Sequence, residues 1–290
     1  MAIRIISGVV GAVILLGLLM LPQPIPPILV ILAGLFAAYE FIVLTRAEWG
    51  FVVGGLLLSG LLPALVIAMI NLDMGDFATG YLVWTLTTIA VTGMQLVLAL
   101  PLISGVRRGR PVSVNWTVLW GLPLLIAVPF LLLVYFSLGG PVSAGMLIAV
   151  LALAWAADTG AFVCGKLFGK RKLIPKVSPG KTWEGYIGGC FAVSSVLFVV
   201  ALLAPSYHSF VFIPRVFFHA SVGATALYSL ALGFVLGTAA LIGDLAFSAV
   251  KRARGVKESG TFLPGHGGIL DRIDGLVFVV CWYFLLSVIL

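Results

Sequence analysis

Apolar residues run almost unbroken along the chain, interrupted only by short breaks rich in proline, glycine or charge. A membrane-spanning helix needs about 20 mostly apolar residues, and runs of about that length recur from end to end. They fall near 5–21, 27–45, 50–72, 80–103, 116–137, 141–163, 183–204, 223–250 and 274–290. The runs are continuous instead of alternating, so the pattern predicts helices, not a barrel, each satisfying its own backbone hydrogen bonds in lipid. The expected fold is therefore all-α, a polytopic integral membrane protein with about nine transmembrane helices. The first run follows Arg4 and has the look of a leader, but no small-residue cleavage site succeeds it, and a retained span is expected.

The polar breaks set the orientation. With the N-terminus in the cytoplasm, Arg46, the group Arg107, Arg108 and Arg110, the group Lys166, Lys170, Arg171, Lys172, Lys176 and Lys181, and the group Lys251, Arg252, Arg254, Lys257 and Arg272 all fall on the inner side. Arg215, Asp73 and Asp76 fall outside, as does the C-terminus, in keeping with the positive-inside bias. The segment from His208 to His219, with Phe210, Phe212, Phe217 and Phe218, reads as an outer interfacial anchor. A chain that is 62% hydrophobic and 9% charged is no soluble domain, and its net charge of +7 is explained by topology without a nucleic-acid partner. Cys164, Cys190 and Cys281 stand singly and read as packing residues, without a zinc site or disulfide. Residues 1–137 read as an N-terminal region of about five spans with a supporting or dimer role, and 138–290 as the catalytic region. Gly54, Gly55 and Gly60 would let helices approach closely, within the chain or across a homodimer seam.

Ionisable groups inside such spans are costly, so each asks for a reason. Glu40 lines a polar cavity or pairs with another helix. Asp158 binds metal or caps the break after its helix, and Asp244 binds metal or makes a structural pair, metal being the favoured reading. The loop Lys166–Glu184 contains Gly180-Lys181-Thr182, but Pro175 stands where a Walker A loop needs glycine, and a membrane helix precedes it instead of a strand. What remains is a set of lysines and backbone donors at a helix start, suited to an anionic headgroup or a polyphosphate. The stretch Ser248–Asp274 is the most polar. Asp271 and Asp274 are three apart, which on a helix puts both carboxylates on one face beside a divalent cation. Gly265, Gly267 and Gly268 let the backbone approach a ligand, His266 lies among them, and Lys251, Arg252, Lys257 and Arg272 are placed to neutralise phosphate oxygens. Carboxylates, cations and a glycine loop at a membrane surface are the parts of phosphoryl or nucleotidyl transfer.

These residues resemble the phosphatidate cytidylyltransferases, or CDP-diacylglycerol synthases. That family's pattern is met by Ser248, Val250, Lys251, Arg252, Lys257, Gly260, Leu263, Pro264, His266, Gly267, Gly268, Ile269, Asp271, Arg272, Ile273 and Asp274, with Glu258 where the family has Asp. The resemblance extends upstream to Asp158-Thr159-Gly160-Ala161, to Ser178-Pro179 with Lys181-Thr182-Trp183-Glu184-Gly185, and to Gly243-Asp244-Leu245, covering about the C-terminal half. It implies formation of CDP-diacylglycerol and pyrophosphate from CTP and phosphatidic acid with Mg²⁺, and room for a second cation, at the cytoplasmic face of the inner membrane. It also implies metal binding by Asp244, Asp271 and Asp274, and phosphate binding by Lys181, Lys251, Arg252, Lys257, His266 and Arg272. Asp158, Ser178, Thr182, Glu184, Gly267 and Gly268 complete the expected substrate site. Another phosphorylated lipid as acceptor, an ion-coupled secondary transporter and an intramembrane aspartyl protease are the competing readings.

Overall fold

The breaks in the apolar pattern become helix ends. The computed structural model describes residues 17–19, 21, 24–72, 77–110, 112–138, 141–203, 221–260 and 267–289. Most of the first expected span, the aromatic outer segment with Arg215, and Asp73, Asp76, Gly265 and His266 lie outside the described residues. Helix α1 (Ile25–Thr45) begins on a proline pair and ends where Arg46 turns left-handed at φ 44°. It is followed by α2 (Trp49–Leu72) and α3 (Phe77–Arg108). Next, α4 (Val114–Gly121) and α5 (Val128–Leu138) run on through a π-turn, Leu122–Ala127, where the Val128 N–H reaches back to Pro123. Pro129, lacking an N–H, cannot hold the ordinary ladder there. The C-terminal half holds α6 (Pro141–Phe168), α7 (Trp183–Leu203), α8 (Val222–Ala253), the single turn α9 (Leu270–Ile273) and α10 (Leu276–Ile289).

Six helical stretches among the described residues are long and apolar enough to cross a bilayer: Ile25–Thr45, Leu86–Arg108, Val114–Val134, Leu147–Phe168, Trp183–Leu202 and Val222–Ala253. They match the second and the fourth to eighth expected spans. The third is represented by the shorter apolar stretch Trp49–Leu61. The ninth is represented by α10, which begins after the turn at Asp274 and Gly275.

One part of the all-α expectation is corrected. Strands β1 (Lys172–Ile174) and β2 (Ser178–Thr182) form an antiparallel hairpin pairing Lys172 with Thr182 and Ile174 with Ser178. Its base is closed by the Trp183 N–H on the Arg171 carbonyl, at 3.0 Å. The Glu184 carboxylate also accepts from the Lys170 and Arg171 N–H groups. The hairpin is short and mostly polar, and its apolar anchors are the fully buried Val177 and the half-buried Leu173 and Ile174.

Helices α6, α7 and α8 make the most intimate contacts, through small residues. A Cβ on Gly160 would sit 2.5 Å from that of Ala192 and 2.7 Å from the Gly188 carbonyl, and one on Gly237 would sit 2.9 Å from the Cys190 Cα. Where lipid tails replace water, such backbone approach supplies van der Waals contact that association otherwise lacks. All three cysteines are free, and Cys190 and Cys281 are buried packing residues. Gly54 and Gly55 pack inside the chain on Leu119 and Val118, whereas Gly60 has open space.

The basic breaks gather at one end of the bundle. Glu48 and Asn115 exchange hydrogen bonds of 3.3 and 3.0 Å between the breaks after α1 and α3. Arg254, at the end of α8, donates to the Thr45 carbonyl. Arg252 donates to the Val177 carbonyl at 3.3 Å, fastening the hairpin to the same place.

Candidate active site

A cleft of about 330 Å³ opens between α6, β2, α7 and α8 near this basic end. Asp158 and Phe162 enter from α6, Lys181 from β2, Tyr186 from α7 and Asp244 from α8. Glycines Gly185, Gly189 and Gly237 form part of its wall and keep it narrow but open. Its apolar surroundings include Phe162, Trp183 and Ile187, all well exposed on the bundle's outside.

Lys181 Nζ makes an ion pair with Asp244 Oδ2. Ser248, one turn on along α8, donates to Asp244 Oδ1 at 3.2 Å. Burial would depress the Lys181 ammonium, but Asp244 foremost, then Asp158 and Asp274, outweigh it and hold the group above its usual range. Asp274 is 7% exposed and lies in electrostatic reach of Asp244, Asp158, Lys251 and Lys181. Gly243 makes this possible, because a side chain there would strike the Asp274 carbonyl. Arg272 is within electrostatic reach of Asp158. Three carboxylates and at least two cations from distant parts of the chain therefore share one region.

Asp271 has partners of its own, among them Lys251, which is also in electrostatic reach of Asp274. Its Oδ1 accepts from Lys251 Nζ at 2.6 Å, and its Oδ2 accepts from the Ser259 and Gly268 N–H groups at 2.9 and 3.1 Å. Helix α9 is a single turn, and Asp274, which follows it, keeps right-handed helical backbone angles of φ −56° and ψ −42°. Burial raises the Asp271 carboxyl, but the Lys251 bond and the two backbone donors prevail and hold it below the usual carboxylate range.

Other expected residues serve the frame. Thr182 lines the cleft, yet its hydroxyl accepts from the Gly185 N–H at 3.1 Å as the cap of α7. Glu184 is occupied with the hairpin base, and Arg252 with the Val177 and Val256 carbonyls. Lys257 is exposed outside the cleft lining. Ser178 is in the lining. The glycines Gly267 and Gly268 approach carboxylates of the protein itself. Gly267, at φ +81°, abuts Asp271 Oδ2, and Gly268 abuts Glu40.

Tyr186 is a participant that the apolar pattern does not single out, and Glu40 is one whose partners the structure supplies. Tyr186 lines the cleft and its hydroxyl lies 2.8 Å from that of Thr238. Its spacing from Thr182 and Gly189 puts the three on one face of α7, a signal that was available. Glu40, 7% exposed, accepts from the Ile269 and Leu270 N–H groups at 3.0 and 2.8 Å and from the Ser259 hydroxyl at 3.4 Å. Of the two roles open to it, pairing with a distant element is the one observed.

The donor set suits magnesium in a limited way. Among the described residues no three His, Cys, Asp or Glu side chains form a ready cage. Mg²⁺ is commonly held by one or two carboxylates with waters and substrate phosphates, and Asp244 and Asp274 meet that need. Asp271 and Asp244 each have both oxygens engaged by donors of the protein, a lysine among them, so a cation on either would take the place of that lysine.

Helices long enough to span a bilayer, with a cleft of carboxylates and cations at the basic end, define a multi-pass membrane protein equipped to handle phosphates. The chain belongs to the cytidylyltransferase family, whose model matches residues 2–290. The phosphatidate cytidylyltransferase of Pseudomonas aeruginosa is 38% identical over 193 residues, 67% of this chain and 61% of that protein. Those of Haemophilus influenzae and Bacillus subtilis are 41% and 42% identical over 143 and 134 residues, 48% and 46% of this chain. The matched region spans 44% of the length of each of those two relatives.

Proposed function

We propose that this chain is a phosphatidate cytidylyltransferase, joining CTP to phosphatidic acid at the cytoplasmic face of the inner membrane. A phosphate oxygen of phosphatidic acid attacks the α-phosphorus of CTP. A new P–O bond forms as the bond from the α-phosphorus to the bridging oxygen breaks, giving CDP-diacylglycerol and pyrophosphate. The nucleophile is the substrate's own anion, so the protein's task is positioning and charge neutralisation. Lys181 and Arg272 supply positive charge to the phosphates, and Lys251 keeps Asp271 anchored beside the cleft. Mg²⁺, on Asp244 and Asp274, would neutralise phosphate oxygens that otherwise repel each other. Asp158 would be a further ligand for a second cation. Phe162, Trp183 and Ile187 leave an apolar flank along which acyl chains can stay in lipid while the headgroup enters. Residues 1–137 act as support, and the basic end with the N-terminus faces the cytoplasm and the C-terminus faces outward.

One observation carries this reading: Asp158, Lys181 and Asp244 line a cleft beside an apolar outer surface, with Asp274 and Arg272 in electrostatic reach of them, in a chain of the cytidylyltransferase family. The test is transfer by the purified full chain, with labelled CTP, Mg²⁺ and phosphatidic acid in mixed micelles, and with GTP, dATP and a polyprenyl phosphate as controls. Metal-dependent labelling of phosphatidic acid with release of pyrophosphate is expected. Labelling of polyprenyl phosphate alone would transfer the activity to another lipid, and indifference to the nucleotide base would defeat the CTP assignment.

A further inference from the structure

Glu40 belongs to the N-terminal half, yet it grips the polar segment that carries Asp271 and Asp274. Oε1 accepts from the Ile269 N–H, while Oε2 accepts from the Leu270 N–H and the Ser259 hydroxyl. It therefore holds Ser259 on one side of residues 261–266 and Ile269 and Leu270 on the other. Asp271 repeats the bridge with its Oδ2, taking the Ser259 and Gly268 N–H groups. Two carboxylates, one from α1 and one from α9, thus fix the separation of the same two strands of chain.

The seat is shaped for a carboxylate. A Cβ on Gly260 would lie 2.9 Å from Glu40 Oε1, and one on Gly268 would lie 2.8 Å from Glu40 Cδ. Either side chain would evict the carboxylate, so these glycines make room for a group inside the protein. Phe41, next to Glu40, stacks edge to face on Phe247 of α8 at 6.1 Å, and Arg254 caps the Thr45 carbonyl. The end of α1 is thereby locked to the helix that carries Asp244.

We infer that Glu40 is a positioning residue for nucleotidyl transfer, setting Asp274 and Arg272 against Asp244 through the backbone of residues 268–270. This rests on the proposed activity. A displacement of about 1 Å at a reacting group is enough to slow phosphoryl transfer severely. The hydrogen bonds of Glu40 go to Ser259, Ile269 and Leu270, not to Lys181 or the cleft walls on α6, α7 and β2, so the larger part of substrate affinity should be kept and only the share due to Arg272 should change.

The test is Glu40→Gln in the full chain, beside Glu40→Asp, which keeps the charge but draws the oxygens back. In the Gln variant one amide NH₂ faces a backbone donor, and kcat is expected to fall about tenfold or more with KM for CTP within about threefold of wild type. The Asp variant should show a smaller loss of the same kind. Glu48→Gln, an exposed carboxylate at the same end of the bundle, should behave as wild type. Hydrogen exchange of the Ile269 and Leu270 amides, followed in detergent without substrate, should quicken at least about tenfold in Glu40→Gln. If wild type transfers nothing to lipid, the proposed activity fails and the exchange result alone judges the Glu40 anchor. Wild-type kcat in both variants, a rise in KM alone, or unchanged exchange at both amides would overturn the inference. If Glu40→Gln does not fold, Glu40→Asp decides by the same readouts.

Discussion

Lys181 and Asp244 come from a hairpin and a membrane helix, and each keeps the other tolerable in a largely apolar setting. Their side chains are 21% and 22% exposed, so removing one partner leaves a charge only partly relieved by water. Asp244→Asn should destabilise the protein by about 1–3 kcal/mol and abolish transfer. Adding Lys181→Met should recover much of the thermal stability and none of the activity. Stability and activity measured on both single variants and the double variant check this, and restored activity in the double variant would show the pair to be structural alone. Asp271 gives a pH test. Its carboxyl is held below the usual range, so its contribution to stability is full above about pH 4, the unfolded value, and fades as pH falls through the lower folded value. The gap in melting temperature between wild type and Asp271→Asn should be constant from pH 7 to about pH 5 and shrink in stronger acid. A gap that grew toward acid would mean the opposite shift. Asp158 and Asp244 were legible in the sequence because a carboxylate within an apolar run demands explanation. The purpose of Glu40 was not, because its partners are backbone N–H groups about 230 residues away, which carry no side-chain signature.

At the scale of elements, apolar periodicity located the long helices to within a few residues, since each had to satisfy its own backbone in lipid. The hairpin was hidden because its strands are three and five residues long and owe their form to Glu184 and the base of α7, not to a run of strand-forming residues. Helix packing supplies the prediction at this level. Gly160→Ala puts a methyl into the Ala192 and Gly188 backbone contact and should cost about 1–3 kcal/mol. Gly60→Ala, facing open space, should stay within about 0.5 kcal/mol of wild type. Thermal unfolding in detergent would expose equal effects if the α6–α7 seam were not closely packed.

For the whole molecule, the decisive asymmetry is that the breaks after α1, α3 and α8 and the hairpin are bonded together at one end, bringing Arg46, Arg110, Lys176, Arg252 and Arg254 to the same pole as the cleft. Under the proposed orientation this pole stays on the side where proteins are made, since moving each cation across the bilayer opposes the membrane potential as well as hydration. CTP is a water-soluble anion of the cytoplasm, so orientation and substrate supply make one demand on the fold. A cysteine at the hairpin turn, Lys176→Cys with Cys164→Ala, reports the side directly, because Cys190 and Cys281 are buried. A membrane-impermeant maleimide should leave this variant unlabelled in intact bacterial cells and label it in inside-out vesicles. Labelling in intact cells would put the basic pole outside, where neither the positive-inside bias nor access to CTP could be met, and the assigned reaction would lose its substrate along with its topology.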